Sequence, residues 1–276
     1  MLKFLIRLLL LAVLLPVTGF ANEKAEPDPN NSQYWDTIRK ITFGDREILD
    51  GKDVIRLYLA LRAADASTVP IAVKGQIDQT PERYIKSVHL IIERNPGPSA
   101  GLYHFTPESG RVQLETRLRF EDYSHIRAIA ETNDGKLWMV SRWVKAAGGC
   151  SAPMSKFSVP PSLLGKMKFK FDDDHIKDNE PNLVQLMIRH PQESALAMDF
   201  DGNKTPEFVR NVKVTYGGKI VLEAEVDFSL SDNPSFRFNI VPKGVPAELK
   251  AWIEDTYDRS WEQSVEIVPG ARSPGS

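Results

Sequence analysis

Val112–Phe120 reads VQLETRLRF, and its period decides the fold class. Val112, Leu114, Thr116, Leu118 and Phe120 fall on one side of an extended chain. Gln113, Glu115, Arg117 and Arg119 fall on the other. An alternation of two places one side chain row against a core and the other toward water, which is the mark of a half-buried strand.

Working outward, the same kind of segment recurs. VHLIIE (88–93) stops at Asn95-Pro96-Gly97-Pro98, a strong turn. HIRAIAE and KLWMVSRWVKA are joined through Asn133-Asp134-Gly135-Lys136, and Asp-Gly between two apolar runs predicts a hairpin. Upstream, SQYWDTIRKI spaces Tyr34, Trp35, Ile38 and Ile41 at helical intervals behind Ser32, which predicts a short capped helix. Beyond Ala147 the alternation lapses through GGCSAPMSKFSVPPSLLG, then resumes in MKFKF, NLVQLMIRHP, FVRNVKVTYGG, KIVLEAEVDF, SFRFNIVP, AELKAWIED and WEQSVEIVP. In KIVLEAEVDF one face collects Ile220, Leu222, Ala224, Val226 and Phe228, and Tyr216-Gly217-Gly218-Lys219 precedes it as a turn. Each half holds roughly seven short strands in about 100 residues, which predicts an all-β chain of two immunoglobulin-like β-sandwich domains in tandem.

The boundaries that follow are 22–48 for a leader and short helix, 49–147 and 167–268 for the two sandwiches, 148–166 for the strip between them, and 269–276 for a tail. Residues 1–21 read as a secretory signal peptide. Lys3 and Arg7 precede an apolar run through Leu15, and Gly19-Phe20-Ala21 offers small residues for cleavage after Ala21. The expected location is the periplasm, with no membrane association after cleavage. The chain of 276 residues is 42% hydrophobic and 26% charged with a net charge of −2. That balance argues against a nucleic-acid partner, which would call for a basic footprint.

Cys150 is the only cysteine, so it makes no intramolecular disulfide, and an exported chain with one thiol invites a reactive role. Gly148 and Gly149 loosen the backbone before it, and it lies past the end of an apolar strand. The expectation is an exposed thiol on a flexible arm, suited to being presented to other proteins. Other candidates carry less. Asp199, Asp201 and Asn203 are spaced like the start of a calcium loop, but Lys204 and Arg210 stand where Gly and Glu are required. Asp172, Asp173, Asp174 and His175 read as a solvated turn, and His89, His104, His125 and His190 lack zinc-site spacing. His190 before Pro191 reads as a turn residue. There is no haem-attachment motif and no phosphate loop, so no cofactor and no metal are expected.

The first half resembles the SoxY-type sulfur carrier subunit of thiosulfate oxidation. The resemblance rests on VPIAVKG, KSVHLIIERNPGPSAGLYHFTP, VQLETRLRF, HIRAIAE, DGKLW and AAGGC. The second half is similar to the partner subunit SoxZ through IRHPQES, DFDGNKTPEFVRNVKVTYGGKIV and SLSDNPSFRF. The whole looks like a fused SoxYZ-like carrier of the kind associated with quinoprotein dehydrogenases. The resemblance implies a carrier, not an enzyme. Cys150 would be the covalent attachment point for sulfur-containing, thiosulfate-type intermediates, and Gly148 and Gly149 would be its arm. It also implies periplasmic partner enzymes, namely c-type cytochromes or sulfur-handling enzymes, a quinoprotein dehydrogenase system among them. The family arm ends its subunit as GGCGG, whereas here Cys150 continues into Ser151-Ala152-Pro153 and a second domain. An arm tethered at both ends would reach on the order of 15 Å. Two other readings follow from the residues. One is a non-covalent accessory or chaperone module for a periplasmic quinoprotein dehydrogenase, with the cysteine incidental. The other is a thiol enzyme, which needs His104 or His125 beside the sulfur.

Overall fold

The computed structural model describes residues 26–152, 159–194, 196 and 206–275. The signal peptide read over 1–21, the calcium-loop-like run Asp199–Lys204 and residues 153–158 of the connecting strip lie outside the described residues.

Among the described residues one α-helix, α1 (Gln33–Phe43), precedes fifteen strands. The first half holds β1 (Ile48–Asp50), β2 (Ile55–Leu59), β3 (Val69–Gly75), β4 (Ile85–Ile92), β5 (Ser99–His104), β6 (Gln113–Leu118), β7 (Ser124–Thr132) and β8 (Leu137–Val144). The second holds β9 (Met167–Phe171), β10 (Asn182–Ile188), β11 (Val209–Tyr216), β12 (Lys219–Glu225), β13 (Ser235–Ile240), β14 (Ala247–Asp255) and β15 (Ser260–Ile267). Among the described residues no helix is long and apolar enough to cross a membrane.

The turns follow the expected chemistry. Gly217 and Gly218 both take positive φ (55° and 77°) between β11 and β12, as a tight two-residue hairpin requires. Between β7 and β8 only Gly135 does so (φ 82°), and the Asp134 side chain accepts from Thr132 Oγ1 instead. In α1 the Ser32 hydroxyl accepts from the Trp35 N–H, which is the predicted cap.

The two halves are immunoglobulin-like, and their sheets merge. A nine-stranded sheet runs β1-β8-β7-β4-β5-β12-β11-β14-β15, and a six-stranded sheet runs β2-β3-β6-β13-β10-β9. The junctions are β5 with β12, where Tyr103 faces Ala224, and β6 with β13, where Glu115 faces Arg237. Side chains reinforce both seams. Thr106 Oγ1 donates to Ile220 O (2.5 Å), Ser109 Oγ to Val221 O (2.6 Å), and Arg237 pairs with Glu115 (2.7 Å). Between the sheets one apolar core extends from Val54 to Ile267, with the Tyr103 and Phe236 rings 6.3 Å apart across the boundary.

The helix covers a second, smaller cluster of Trp35, Ile91, Ile129 and Leu137. A buried charge network fastens it there. Arg127 donates to Glu93 (2.6 Å) and to Pro29 O (2.5 Å) while its guanidinium lies 4.2 Å from the Trp35 ring centroid. Ser32 Oγ completes the network by donating to the second oxygen of Glu93 (2.5 Å).

Candidate functional site

After β8 the chain does not leave the domain. Lys145 N donates to Leu61 O (2.8 Å), Gly148 N to Glu121 O (2.8 Å) and Gly149 N to Phe120 O (2.8 Å). Phe120 N in turn donates to Ala66 O (2.9 Å), so the strip lies in a trough between 61–66 and the end of β6. The glycines fit that trough for two separate reasons. Gly148 adopts φ 79°, which favours glycine, and a Cβ on Gly149 would stand 2.0 Å from Ala66 O and 2.8 Å from Phe120 O.

One carboxylate closes the trough. Glu121 Oε2 accepts from the Cys150 N–H and the Ser151 N–H, each at 3.0 Å, and Oε1 accepts from the Ser151 hydroxyl. With that latch engaged, Cys150 is 0% exposed. The exposed thiol expected from the sequence is therefore corrected. The strand ends at Val144, but backbone pairing continues beyond it, and Gly148 and Gly149, read as a flexible arm, are here what lets the strip dock.

Burial pushes the Cys150 thiol up to about 12, and the negative charge of Glu121 adds to the rise. Arg119 opposes it, and Asp227 raises it further. Such a thiol is overwhelmingly protonated at neutral pH and is a poor nucleophile where it sits. Asp227 belongs to the second half. Burial lifts its carboxyl to about 6, although the Ser229 N–H donates to it at 2.7 Å. Both histidines proposed as a base have partners other than the sulfur. His125 Nε2 is held by Pro27 O (3.1 Å), and His104 lies 3.8 Å from Glu225.

The alternation of Val112–Phe120 placed Arg117 and Arg119 on a solvent face, and the second half covers it. Arg119 is 2% exposed and pairs with Asp232, and Arg117 donates to Asn233 O (2.9 Å). Asn95, also buried, bridges the seam: its amide nitrogen donates to Arg119 O (2.8 Å) and to Ser229 Oγ of the second half (3.2 Å), and its oxygen accepts from the Glu121 N–H (2.9 Å). Glu121, Arg119 and Asp227 are the charged neighbours of Cys150 that sequence reasoning did not single out. The signal for the first two was adjacency, since Arg119-Phe120-Glu121 directly ends the alternating strand.

Among the described residues one group has metal-ligating geometry, namely His190, Glu207 and Asp255. Its centre is already satisfied by a cation, because Arg259 binds both carboxylates. His190 lies 3.3 Å from Asp255 and is fully buried, in keeping with a structural role.

Comparison with known proteins places this geometry in a family. Residues 39–150 match the model of the sulfur oxidation protein SoxY, and residues 167–266 match that of the sulphur oxidation protein SoxZ. The chain is a fused SoxYZ-like protein. It thus belongs to a sulfur-oxidation carrier family, and the SoxY match ends at the single cysteine. Among solved structures, the sulfur carrier protein SoxY of Chlorobium limicola f thiosulfatophilum is 19% identical, with 41% of this chain and 96% of that one covered, at a TM-score of 0.33. The fibronectin(III)-like modules of CbhA from Clostridium thermocellum are 10% identical, with 78% and 94% covered, at a TM-score of 0.24. No curated protein matches the SoxYZ-like chain.

Proposed function

We propose that the SoxYZ-like chain is a covalent carrier that holds sulfur-containing groups on Cys150 and presents them to partner enzymes. The observation that carries this reading is the end of the SoxY match at the chain's one thiol, at the seam of its two halves. The docked strip is the resting state of that carrier. Loading requires residues 148–152 to leave Glu121, because the docked sulfur is neither accessible nor ionised. Two loading reactions balance. With a polysulfide, the Cys150 thiolate attacks one sulfur of an S–S bond, forms a new S–S bond and expels the remaining sulfur chain as the anion. With thiosulfate, Cys–SH and S₂O₃²⁻ yield Cys–S–SSO₃⁻, one proton and two electrons, and a c-type cytochrome partner takes the electrons.

The carrier would act in the periplasm, the location for which Lys3, Arg7 and the apolar run to Leu15 argue. A quinoprotein dehydrogenase system is the proposed setting, on the resemblance to fused SoxYZ-like carriers associated with such dehydrogenases, and the second domain after Cys150 in place of a free GGCGG end argues for partners other than those of the thiosulfate system.

Mass spectrometry of the intact protein tests the proposal. Incubation with polysulfide, or with thiosulfate under mild oxidation, should add mass to Cys150 and none to a Cys150→Ser variant. An unmodified Cys150 under both conditions would overturn it. Burial of the thiol favours one other reading, an accessory module with the cysteine as filler. That reading predicts a Cys150→Ser protein that supports its dehydrogenase as well as the parent does.

A further inference from the structure

Beside the cysteine strip, at the seam of the two halves, lies a polar cleft of about 540 Å³. Three guanidinium groups line it: Arg117 and Arg119 from the end of β6, and Arg189 from just past β10. Two carboxylates, Asp65 and Asp232, share the wall, so the arginines outnumber the acids. The acids are already engaged. Asp232 takes Arg119, and Asp65 accepts from the backbone N–H (2.8 Å) and hydroxyl (2.6 Å) of Ser67. The positive charges are met unequally. Arg117 donates to backbone carbonyls, which leave its charge in place, and Arg189 is exposed with no carboxylate partner among the described residues. Arg119 is 2% exposed, and its Nε–H has no acceptor. A buried guanidinium donor left unmet costs free energy, and an acceptor brought into the cleft recovers it. Asn233 Oδ1, on the same wall, is likewise without a partner, and turning that amide over presents a donor instead.

We propose that this cleft is a binding site for a small tetrahedral oxyanion. Guanidinium forks match two oxygens of such an anion at once, and two of the three forks come from one half while the third comes from the other. The cleft's volume falls within the range of small-molecule pockets. Its position suggests two sources for the same chemistry. Ala152, two residues beyond Cys150, lines it, so the anion is either free in solution or the anionic end of a group attached to the thiol. The second source rests on the carrier reading, and the site itself does not.

Calorimetric titration of the full chain at low salt, with sulfate and separately with thiosulfate, tests the site. Saturable binding of one anion per chain is expected in the parent and in Cys150→Ser. Arg189→Gln, a change on an exposed side chain, should weaken it about tenfold or more. Arg117→Gln should do the same. Absence of saturable binding, or affinity indifferent to Arg189→Gln, would overturn the proposal whatever the fate of Cys150. Attaching a sulfonate-bearing methanethiosulfonate reagent to Cys150 then separates the sources. Lost sulfate affinity assigns the cleft to the adduct's anionic end, and retained affinity assigns it to the free anion.

Discussion

Glu121 is the residue on which the state of the thiol turns. Its carboxylate accepts three of the hydrogen bonds that hold residues 150 and 151, and its charge disfavours the thiolate. Glu121→Ala should therefore speed alkylation of Cys150 by iodoacetamide at pH 8 at least about tenfold, since each unit taken off a raised thiol pKa multiplies the thiolate fraction by ten. Asp227 bears on the same sulfur from the second half. Its carboxyl is raised from 3.8 to about 6 by burial, so the folded state holds its proton more tightly than the unfolded chain does. The stability it contributes is present below about pH 4 and is lost as pH rises through 6. Asp227→Asn should accordingly raise Tm at pH 7 by several degrees and leave it unchanged at pH 4 in thermal melts. Cys150 stood out in the sequence, because a single thiol after two glycines is conspicuous. Its burial was not. Sequence spacing gives the face on which Arg119 lies but not the distant segment, 227–232, that covers that face.

At the level of elements, α1 and its cap were readable, because Ser32 and the spacing of Trp35 and Ile38 are local signals, but Tyr34 and Ile41, read onto the same apolar face, are exposed. The helix's anchorage was not readable, since Glu93, in the turn just after β4, and Arg127, on β7, are 34 residues apart and meet only through the pairing of β4 with β7. Glu93→Gln leaves the buried Arg127 charge without its counter-ion. Such a loss destabilises by about 3–5 kcal/mol, measured as a lower denaturation midpoint in urea. Tryptophan fluorescence should report the release of Trp35 in the same experiment. The hairpin turns were equally local, and glycines at 135, 217 and 218 take the conformations their sequences predicted. The strip at 145–151 was the element most misjudged. Glycine, serine and alanine without periodicity resemble a free linker, and nothing in that pattern records a backbone trough between 61–66 and 119–121.

For the whole molecule, period-two segments were enough to establish two immunoglobulin-like halves, yet not to show that their sheets continue into each other. Pairing of β5 with β12 and of β6 with β13 joins residues more than 100 positions apart, which no local pattern encodes. One core and two shared sheets predict a single calorimetric unfolding transition whose van't Hoff and calorimetric enthalpies agree. Two resolved transitions would contradict the merged sandwich. Within that rigid body the carrier needs one small region that opens alone, and native-state alkylation of Cys150 across low urea concentrations measures this most directly. The predicted result is a labelling rate nearly independent of urea, set by local release of 148–152 and raised by Glu121→Ala. A rate that climbs with urea in step with global unfolding would mean the sulfur is reached only when the protein is lost, and the carrier account would fail.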